Sequence, residues 1–385
     1  MVIAYLPDLL TDVARPAVLE LGGRRVTPDP WNPPSHWKRV GVDVHPGDGV
    51  DVVADAHDLS NLRAGSFDAF YSHAVFEHLA MPWKAALELN RVLTEGALGW
   101  VVTHEAFPVH EWPWDFWRFG PGCLSSLFAA TGFEVLGERP LEPCRVQPPG
   151  GAPSYAGHTG CEVQVRKVGP PAADLRWNAL PGDLLPRGHT YPTGLARQGR
   201  RAQRVAVRVG RRLGVAATGR ASAPDPWRLL KDPSAWLVVA GPDAREFAGC
   251  ERLELAAGGL AATLRDVPDA ALSHLLLADA LSRDAAPWAA LESVARVLAP
   301  GGRLLVDDVQ VAPAERPGWR LTSEALLMLL HGGAGFRLER RRMLDPCVIE
   351  GGGCSAATVE RAYGRVLGLA RRVGDWDSGR FSWPS

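Results

Sequence analysis

The chain has 385 residues, of which 46% are hydrophobic and 22% are charged, and its formal net charge is -1. A chain of this length has room for two or three domains with hydrophobic cores. The nearly balanced charge gives no reason to expect a polyanion or an acidic membrane surface as the partner.

Targeting and redox signals are weak. The N-terminus lacks a basic start followed by an apolar core and a small-residue cleavage site, and no run reaches the roughly 18 apolar residues of a membrane span. The six cysteines form no C-x-x-C pair, which argues against a zinc site or a disulfide framework. We therefore expect a cytoplasmic protein with no membrane span and no bound metal.

Apolar, strand-like runs alternate with helical stretches from residue 17 to about residue 168. The runs are AVLELGG (17–23), RVGVDV (39–44), VDVVAD (50–55), FDAFYSHA (67–74) and LGWVVTH (98–104). Between the last two, apolar residues recur at helical spacing from Ala86 to Leu93. This alternation predicts an α/β fold with a doubly wound, mostly parallel sheet.

Polar side chains stand at the predicted carboxyl ends of these strands. Open parallel sheets bind ligands in the crevice beyond those ends. A carboxylate at Asp43 could accept the hydroxyls of a ribose, and one at Asp55 could accept an exocyclic amine, because an ionised carboxylate is an acceptor for several donors. The alternative is that both acids cap turns or following helices.

Four longer segments resemble a known family, the class I S-adenosylmethionine-dependent methyltransferases, in the small-molecule branch labelled type 11. VLELGG resembles the first glycine motif, and VGVDVHPGDGVDVVADAHDL the ribose and adenine segment. GSFDAFYSHAVFEHLAMPWKAALELNRVLTEGALGWVV resembles the fourth strand, helix and fifth strand. PVHEWPWDFWRFGPGCLSSLFAATGFEVL resembles the segment that follows in one subgroup. The resemblance covers residues 15 to 137 and implies a Rossmann-like fold with S-adenosylmethionine as cofactor.

The same resemblance assigns residues to parts of the cofactor. Glu20 and the glycines beside it would approach the methionine portion, Asp43 the ribose, and Asp55 with the Ala56 backbone the adenine. The implied cofactor-binding set is Glu20, Gly22, Gly23, Asp43, Asp55, Ala56 and His73. His78, in the Glu-His pair usual in the family, is implied to shape the same pocket.

The glycine motif departs from the family pattern. It reads GGRR in place of G-x-G-x-G, and a Pro- and Trp-rich insertion (26–37) stands where the first helix usually lies. The departure argues against a nicotinamide dehydrogenase, because a pyrophosphate needs the full glycine fingerprint and a helix N-terminus directly behind it.

Residues 234 to 340 resemble a degenerate second copy of the first half. Trp288 and Arg296 follow Trp83 and Arg91 by 205 residues each. Glu254 stands roughly where Asp43 lies in the first half. The first motif retains only Gly241, and nothing is seen to match FEHL or HEWPWDFWRF. We therefore expect two tandem copies of the fold, of which the second is a packing partner or a substrate platform without catalytic activity.

These features predict four segments. They are a cofactor-binding domain (1–168), a connector rich in Arg, Pro and Gly (169–233), the degenerate domain (234–349) and a C-terminal extension (350–385). Apolar residues at helical spacing predict a terminal helix in the extension, namely Val359, Tyr363, Val366, Leu367 and Ala370.

The connector is strongly basic. From Leu184 to Pro224 it contains nine arginines and no Asp, Glu or Lys. An amphipathic helix is predicted there, with Arg201, Arg204, Arg208, Arg211 and Arg212 largely on one face. It is either a site for an anionic partner, such as a nucleotide-sugar, polyphosphate or nucleic acid, or a solvated helix that ties the two domains together.

Methyl transfer from a sulfonium is an in-line displacement that requires alignment and, for a hydroxyl or amine acceptor, loss of a proton. Histidine can take that proton near neutral pH. The candidate bases are His104 and His110, oriented by Glu105 or Asp115. Alternatively, His110 and Asp115 are a structural cap on the loop that carries five aromatic residues from Trp112 to Phe119, which either cover the acceptor or pack beneath the loop.

We therefore expect methyl transfer to a small molecule or sugar, with a hydroxyl as the preferred acceptor, in the first domain. The alternative is a noncatalytic methyltransferase-like subunit that binds a partner through the connector. Nucleic acid is disfavoured as a substrate, because the Asn/Asp-Pro-Pro-aromatic motif of amine methylation is missing.

Overall fold

The computed structural model describes residue 10 and residues 13–25, 33–120, 122–186, 189, 232–313, 318–351 and 362–383. The arginine-rich helix predicted in the connector lies outside these residues, and only residues 33–37 of the Pro- and Trp-rich insertion fall within them.

The first half of the chain alternates between strands and helices. Its strands are β1 (Ala17–Leu21), β2 (Lys38–Asp43), β3 (Val52–Val53), β4 (Phe67–His73), β5 (Leu93–His104), β6 (Trp117–Phe119), β7 (Phe133–Gln147), β8 (Tyr155–Lys167) and β9 (Arg176–Trp177). Its helices are α1 (Pro82–Val92), α2 (Cys123–Ala130) and α3 (Pro181–Leu184), and short 3-10 turns occupy Phe76–His78 and Pro149–Gly151.

The second half repeats this alternation. Its strands are β10 (Trp236–Ala240), β11 (Glu251–Glu254), β12 (Leu272–Ala278), β13 (Leu298–Val309), β14 (Trp319–Leu321), β15 (Phe336–Gly351), β16 (Ala362–Arg372) and β17 (Phe381–Ser382). Its helices are α4 (Gly259–Thr263), α5 (Pro287–Val297) and α6 (Ser323–Leu329), with 3-10 turns at Pro233–Ala235, Leu281–Arg283 and Gly332–Ala334.

Most of these strands belong to one large sheet. Its order is β11-β10-β12-β13-β16-β15-β7-β8-β5-β4-β1-β2-β3. In the first half β3, β2, β1, β4 and β5 are parallel, while β8 and β7 run antiparallel at the inner edge. The predicted α/β fold with a mostly parallel sheet is confirmed, and the carboxyl ends of β1 to β5 lie at one edge.

The two halves join edge to edge and across their helices. In the second half β11, β10, β12 and β13 are parallel, and β16 and β15 are antiparallel. The end of β15 pairs with the end of β7, and β14 pairs antiparallel with β6. The two halves of the chain thus meet through β7 and β15 in the large sheet and through β6 and β14 beside it, strands that follow the parallel region of each half.

Helix α1 illustrates how the sequence produces these elements. Pro82 occupies the first turn, where its missing N–H costs no intrahelical bond. Trp83, Ala86 and Leu89 recur on one side and are fully buried. The helix ends at Val92 because the next residue, Leu93, is already extended and begins β5.

The predicted terminal helix is wrong in the part of the extension that the structure describes. Ala362–Arg372 form β16, which is hydrogen-bonded to β13 on one side and β15 on the other. Val366, Leu369 and Ala370 are all buried, so both faces of the strand are covered. A strand buried on both faces gives a nearly continuous apolar run, which helical spacing alone does not distinguish from a helix.

A cluster of tryptophans holds the two halves together. The rings of Trp83 and Trp288 stack with centroids 4.2 Å apart and planes 18° apart. Trp117 of β6 meets Trp319 of β14 edge to face at 5.6 Å. All four side chains are buried in one core that includes residues of both halves. Stacked and T-shaped aromatic pairs of this kind bury large apolar areas and favour one relative orientation of the two rings, and so of the elements that carry them.

His331 begins the 3-10 turn before β15. Its Nδ1 accepts a hydrogen bond from the Ala334 N–H at 3.2 Å, so the ring is held neutral. Burial, with a smaller contribution from the Arg380 charge, lowers the pKa of His331 from 6.5 to about 4.

The pKa of His331 predicts a loss of stability in mild acid. Below pH 6.5 the unfolded chain protonates this histidine, whereas the folded chain does so only near pH 4, so stability falls across that window. Between pH 7 and pH 5 the loss is about 2 kcal/mol. Urea unfolding of His331→Asn, which retains a capping acceptor, should show a pH dependence weaker by that amount. Equal losses in the variant and the parent would contradict the assignment.

None of the described helices is long and apolar enough to cross a membrane.

Candidate functional site

The segment after β1 approaches its neighbours closely. Gly22 has φ +82°, and a Cβ added there would lie 2.3 Å from Val75 Cγ2. Its N–H and that of Gly23 both donate to the Val42 carbonyl, and the Arg25 N–H donates to the Asp48 carbonyl at 2.9 Å. Only glycine satisfies both the conformation and the space at position 22.

Glu20 is buried and bound by two arginines. Its carboxylate accepts hydrogen bonds from Arg25 and from Arg39, with Arg25 Nη2 at 3.1 Å. The side chain is only 2% exposed. The structure therefore gives this acid a role in fixing Arg25 and Arg39, and the predicted approach to a methionine group stays a prediction.

Asp43 and Asp55 stand at the carboxyl edge of neighbouring strands. Asp43 ends β2 and accepts the His45 N–H at 2.8 Å through Oδ1. Asp55 accepts the His57 N–H at 3.0 Å and the His57 ring N–H at 2.5 Å, again through Oδ1. In the part of the chain that the structure describes, the Oδ2 atom of each accepts no hydrogen bond. Both acids thus cap turns through Oδ1, as the alternative interpretation of the sequence predicted. Oδ2 of each acid is the oxygen that a ligand could use.

The His57 contacts also influence Asp55. His57 Nε2 accepts the Met81 N–H at 3.1 Å, which leaves Nδ1 to donate to Asp55. Burial opposes ionisation of Asp55, but the interactions with His57, including the hydrogen bonds from its ring and backbone N–H groups, prevail and lower the pKa of Asp55. Asp55 is therefore a preorganised carboxylate beside the buried Ala56, as a binding site for a polar purine edge requires. His73 lies at the end of β4, stacked on Tyr71.

An imidazole and carboxylate cluster lies beyond β4 and β5. Glu77 belongs to the 3-10 turn after β4, and its Oε2 accepts the Thr103 hydroxyl at 2.6 Å. Its Oε1 lies 3.1 Å from His104 Nε2, and 3.9 Å from His78 Nε2. The ring centroids of His104 and His110 are 5.1 Å apart, and those of His78 and His110 are 4.7 Å apart.

His110 is oriented by Asp115, as predicted. The Nδ1 atom of His110 lies 3.3 Å from Asp115 Oδ2, and the His110 N–H donates to the same oxygen at 2.8 Å. Arg118 donates to both oxygens of Asp115 and to the carbonyls of Phe107 and Pro108. The fully buried Asp115–Arg118 pair therefore fixes the loop and the imidazole together.

The protonation states differ among these groups. Burial lowers the pKa of His104 to about 3, although Glu77 acts in the opposite direction. Burial opposes ionisation of Glu77, but the three histidines and the Thr103 hydrogen bond lower its pKa to about 2. Asp115 raises the pKa of His110 in spite of its burial. The cluster thus holds an ionised carboxylate beside a neutral imidazole.

Glu105 does not orient either histidine, so that prediction is wrong. Its carboxylate points to the other half of the chain, where Arg320 Nη2 lies 3.0 Å from Oε1. Both side chains are 1% exposed. Burial raises the pKa of Glu105 to about 7 even though the arginine opposes the shift. β5 ends at His104, and Glu105 is the next residue, so the two side chains have different surroundings: His104 lies beside Glu77 and Glu105 beside Arg320.

The aromatic segment is mostly packing. Trp114, Phe116, Trp117 and Phe119 are buried, whereas Trp112 is 56% exposed and donates from Nε1 to Glu324 at 3.0 Å. Residues 117–119 form β6, which pairs with Trp319–Leu321. Comparison of the two halves by sequence did not find Trp319–Leu321 as the counterpart of Trp117–Phe119. Three residues, WRL against WRF, are too few to align, and only the pairing of the two strands identifies them.

Glu77 is the functional candidate that sequence analysis missed. The family resemblance implied only that the Glu-His pair shapes the cofactor pocket, which stays a prediction. The structure adds that both residues lie beside other imidazoles, with His78 Nδ1 2.7 Å from the Trp114 carbonyl oxygen. The signal was the FEHL motif directly after a predicted strand. A 3-10 turn there aims the acid toward the histidines that follow the next strand.

Comparison with known proteins gives one family match. Residues 34–101 match the family described as a methyltransferase domain. The matched region runs from just before β2 to within β5 and includes Asp43, Asp55 and Glu77. No curated protein matches the chain.

Several solved structures resemble part of the chain. The [4+2]-cyclase SpnF is 20% identical over 35% of this chain and 59% of its own, with a TM-score of 0.26. A putative methyltransferase from Bacillus halodurans is 12% identical over 43% of this chain and 97% of its own, with a TM-score of 0.29. An S-adenosylmethionine dependent methyltransferase from Mesorhizobium loti is 15% identical over 42% and 95%, with a TM-score of 0.29.

Proposed function

We propose that the methyltransferase domain of this chain, for which S-adenosylmethionine is the methyl donor, transfers the methyl group to a hydroxyl of a small molecule or sugar. The observation that carries this proposal is the pair Asp43 and Asp55, whose Oδ2 atoms accept no hydrogen bond from the described residues. The His104 and His110 cluster beyond the adjacent strands supplies the polar groups for an acceptor. Both sites belong to the first half, where we place the activity.

Cofactor binding would use the strand ends. Asp43 accepts the ribose hydroxyls, and Asp55 with the Ala56 backbone holds the adenine edge. Gly22 and Gly23 allow close approach of the backbone, and His73 lies beside them at the end of β4. When bound, the cofactor supplies an electrophilic methyl group on a sulfonium, which carries no phosphate and needs no full glycine fingerprint.

The acceptor would lie against the imidazoles. His104 is stacked on Phe107 with centroids 3.9 Å apart, which fixes the plane of its ring. His110 is fixed by Asp115. Both imidazoles are partly exposed and can orient a hydroxyl. His110, whose pKa Asp115 raises, can also take the proton, whereas the low pKa of His104 makes that ring a weak base; a hydroxyl acceptor is favoured by the presence of this base.

We propose that the second half is a tandem copy without catalytic activity. The positions 205 residues after Glu77 and His104 hold Ser282 and Val309. Two acids at its strand ends form ion pairs with arginines of the same half: Asp279 Oδ2 accepts from Arg283 at 2.9 Å, and Asp307 Oδ1 accepts from Arg365 at 2.9 Å. Its strand order, which matches the first half except for β3, supports a common origin.

Calorimetry with S-adenosylhomocysteine tests the proposal. We expect Asp43→Ala to weaken binding by 10-fold or more, because the ribose loses a charge-assisted acceptor worth about 1.5–3 kcal/mol. The matched control is Glu254→Ala, which removes the acid at the end of β11 in the second half and should leave affinity unchanged. Absence of binding by the folded parent protein, or an equal loss in both variants, would refute it.

A noncatalytic subunit remains the second candidate function, and the basic composition of residues 184–224 is what favours it. It predicts a folded protein that binds no cofactor but associates with an anionic partner in a steeply salt-dependent manner.

A further inference from the structure

We infer that Glu77, His104 and His110 form a binding site for one divalent first-row transition-metal ion. Each of the three side chains offers a ligand atom, and these atoms all lie within 4.8 Å of one another. The metal site stands on their geometry alone. Its use in binding the methyl acceptor rests on the proposed function.

Glu77 carries the strongest geometric evidence. Its side chain is completely buried, and Thr103 occupies only Oε2. Oε1 accepts no hydrogen bond from the residues that the structure describes. A buried carboxylate oxygen without a donor is costly, whereas a metal ion in the same place would both neutralise the charge and use the lone pair.

The spacing of Glu77 and His104 suits a shared ion. His104 Nε2 and Glu77 Oε1 are 3.1 Å apart. Two ligand atoms that each lie about 2.1 Å from one ion are about 3.0 Å apart at an octahedral corner and about 3.4 Å apart at a tetrahedral one. Their separation therefore allows either geometry without movement of the backbone.

His110 has the support that a ligating histidine needs. Its Nδ1 faces two acceptors, Asp115 Oδ2 at 3.3 Å and the Pro108 carbonyl at 3.2 Å, and one donor, Arg118 Nη2, at 3.4 Å. The two nearer acceptors assign the proton to Nδ1, which leaves the lone pair on Nε2. A carboxylate behind the distal nitrogen is the usual arrangement around ligating imidazoles. Arg118, which binds Asp115, fixes that carboxylate in turn.

The donor set selects the class of ion. Two imidazoles and one carboxylate suit Zn²⁺, Fe²⁺, Co²⁺ and their neighbours, whereas Mg²⁺ and Ca²⁺ prefer oxygen ligands alone. Three protein ligands leave coordination positions open. The side chains of His104 and His110 are 22% and 20% exposed, so these positions are reachable from solvent.

A metal here would change the way in which the acceptor is activated. A hydroxyl that binds the ion would lose its proton to solvent water at a lower pH, because the cation stabilises the anionic oxygen. His104 and His110 would then act as ligands and not as free bases. The acceptor is accordingly a hydroxyl compound with an oxygen accessible for coordination.

The test is a Co²⁺ titration of the full-length protein after removal of metal with a chelator, followed by visible absorption. We expect one Co²⁺ per chain, competition by Zn²⁺ and no competition by Mg²⁺. His110→Ala and Glu77→Gln should each weaken Co²⁺ binding by at least about 10-fold. His274→Asn, which changes an imidazole of the second half, is the control and should bind as the parent does.

Circular dichroism shows which variants are folded, and only folded variants are compared. His110→Ala is expected to fold, because the substitution alters a partly exposed side chain. Binding of Co²⁺ that is no tighter in the parent than in folded His110→Ala overturns the inference. Calorimetry with S-adenosylhomocysteine separates the two proposals. Cofactor binding without Co²⁺ binding refutes only the metal site, and Co²⁺ binding without cofactor binding refutes only the methyltransferase proposal.

Discussion

Replacement of Glu105 by leucine is expected to lower the free energy of unfolding by about 3–5 kcal/mol. Arg320, its partner at 3.0 Å, is 1% exposed and would lose this carboxylate from its buried surroundings. A guanidinium does not escape this cost by deprotonation. Urea unfolding at pH 8, where Glu105 is mostly ionised, measures the loss.

The double variant Glu105→Leu with Arg320→Met is the control for this prediction. An apolar pair of similar volume replaces the ion pair, so most of the lost stability should return. If the double variant is less stable than the single variant by a further 2 kcal/mol or more, the two side chains stabilise the fold independently and the pairing across the halves is not the cause.

Replacement of Trp288 by alanine should also cost about 3–5 kcal/mol. Its ring is 2% exposed and stacks on Trp83 from the other half, so the substitution opens a cavity at the junction. Urea unfolding followed by circular dichroism measures the effect without relying on tryptophan fluorescence.

Trp112→Ala is the matched control for Trp288. The Trp112 side chain belongs to the same class but is 56% exposed, and its contact with Glu324 is a single hydrogen bond. We expect a loss of about 1 kcal/mol. Equal losses in the two variants would show that the tryptophan stack does not hold the halves together.

The parallel strands and α1 were predictable because their signals are local. β1, β2 and β4 are short apolar runs followed by polar residues, and α1 has buried residues at helical spacing between two such runs. Both patterns follow from side-chain periodicity within a few residues. The acids at the strand ends, Asp43 and Asp55, were predictable for the same reason, because the alternation of strands and helices shows where each strand ends.

The errors arose where distant segments decide the structure. Ala362–Arg372 form a strand because β13 and β15 leave a place between them, and this context overrides the helical spacing. Glu105 pairs with Arg320, 215 residues away in the chain. Nothing near Glu105 in the sequence identifies that partner, whereas the contact between Asp115 and His110 was predictable because both residues lie in the same loop.

A crystal structure of the protein with S-adenosylhomocysteine tests the central claim most directly. We predict one molecule per chain in the first half, with its ribose hydroxyls on Asp43 and its adenine at Asp55 and Ala56. The vacated methyl position should point toward His104 and His110. A nucleoside bound only in the second half, or Asp43 and Asp55 without contact to it, would contradict the account.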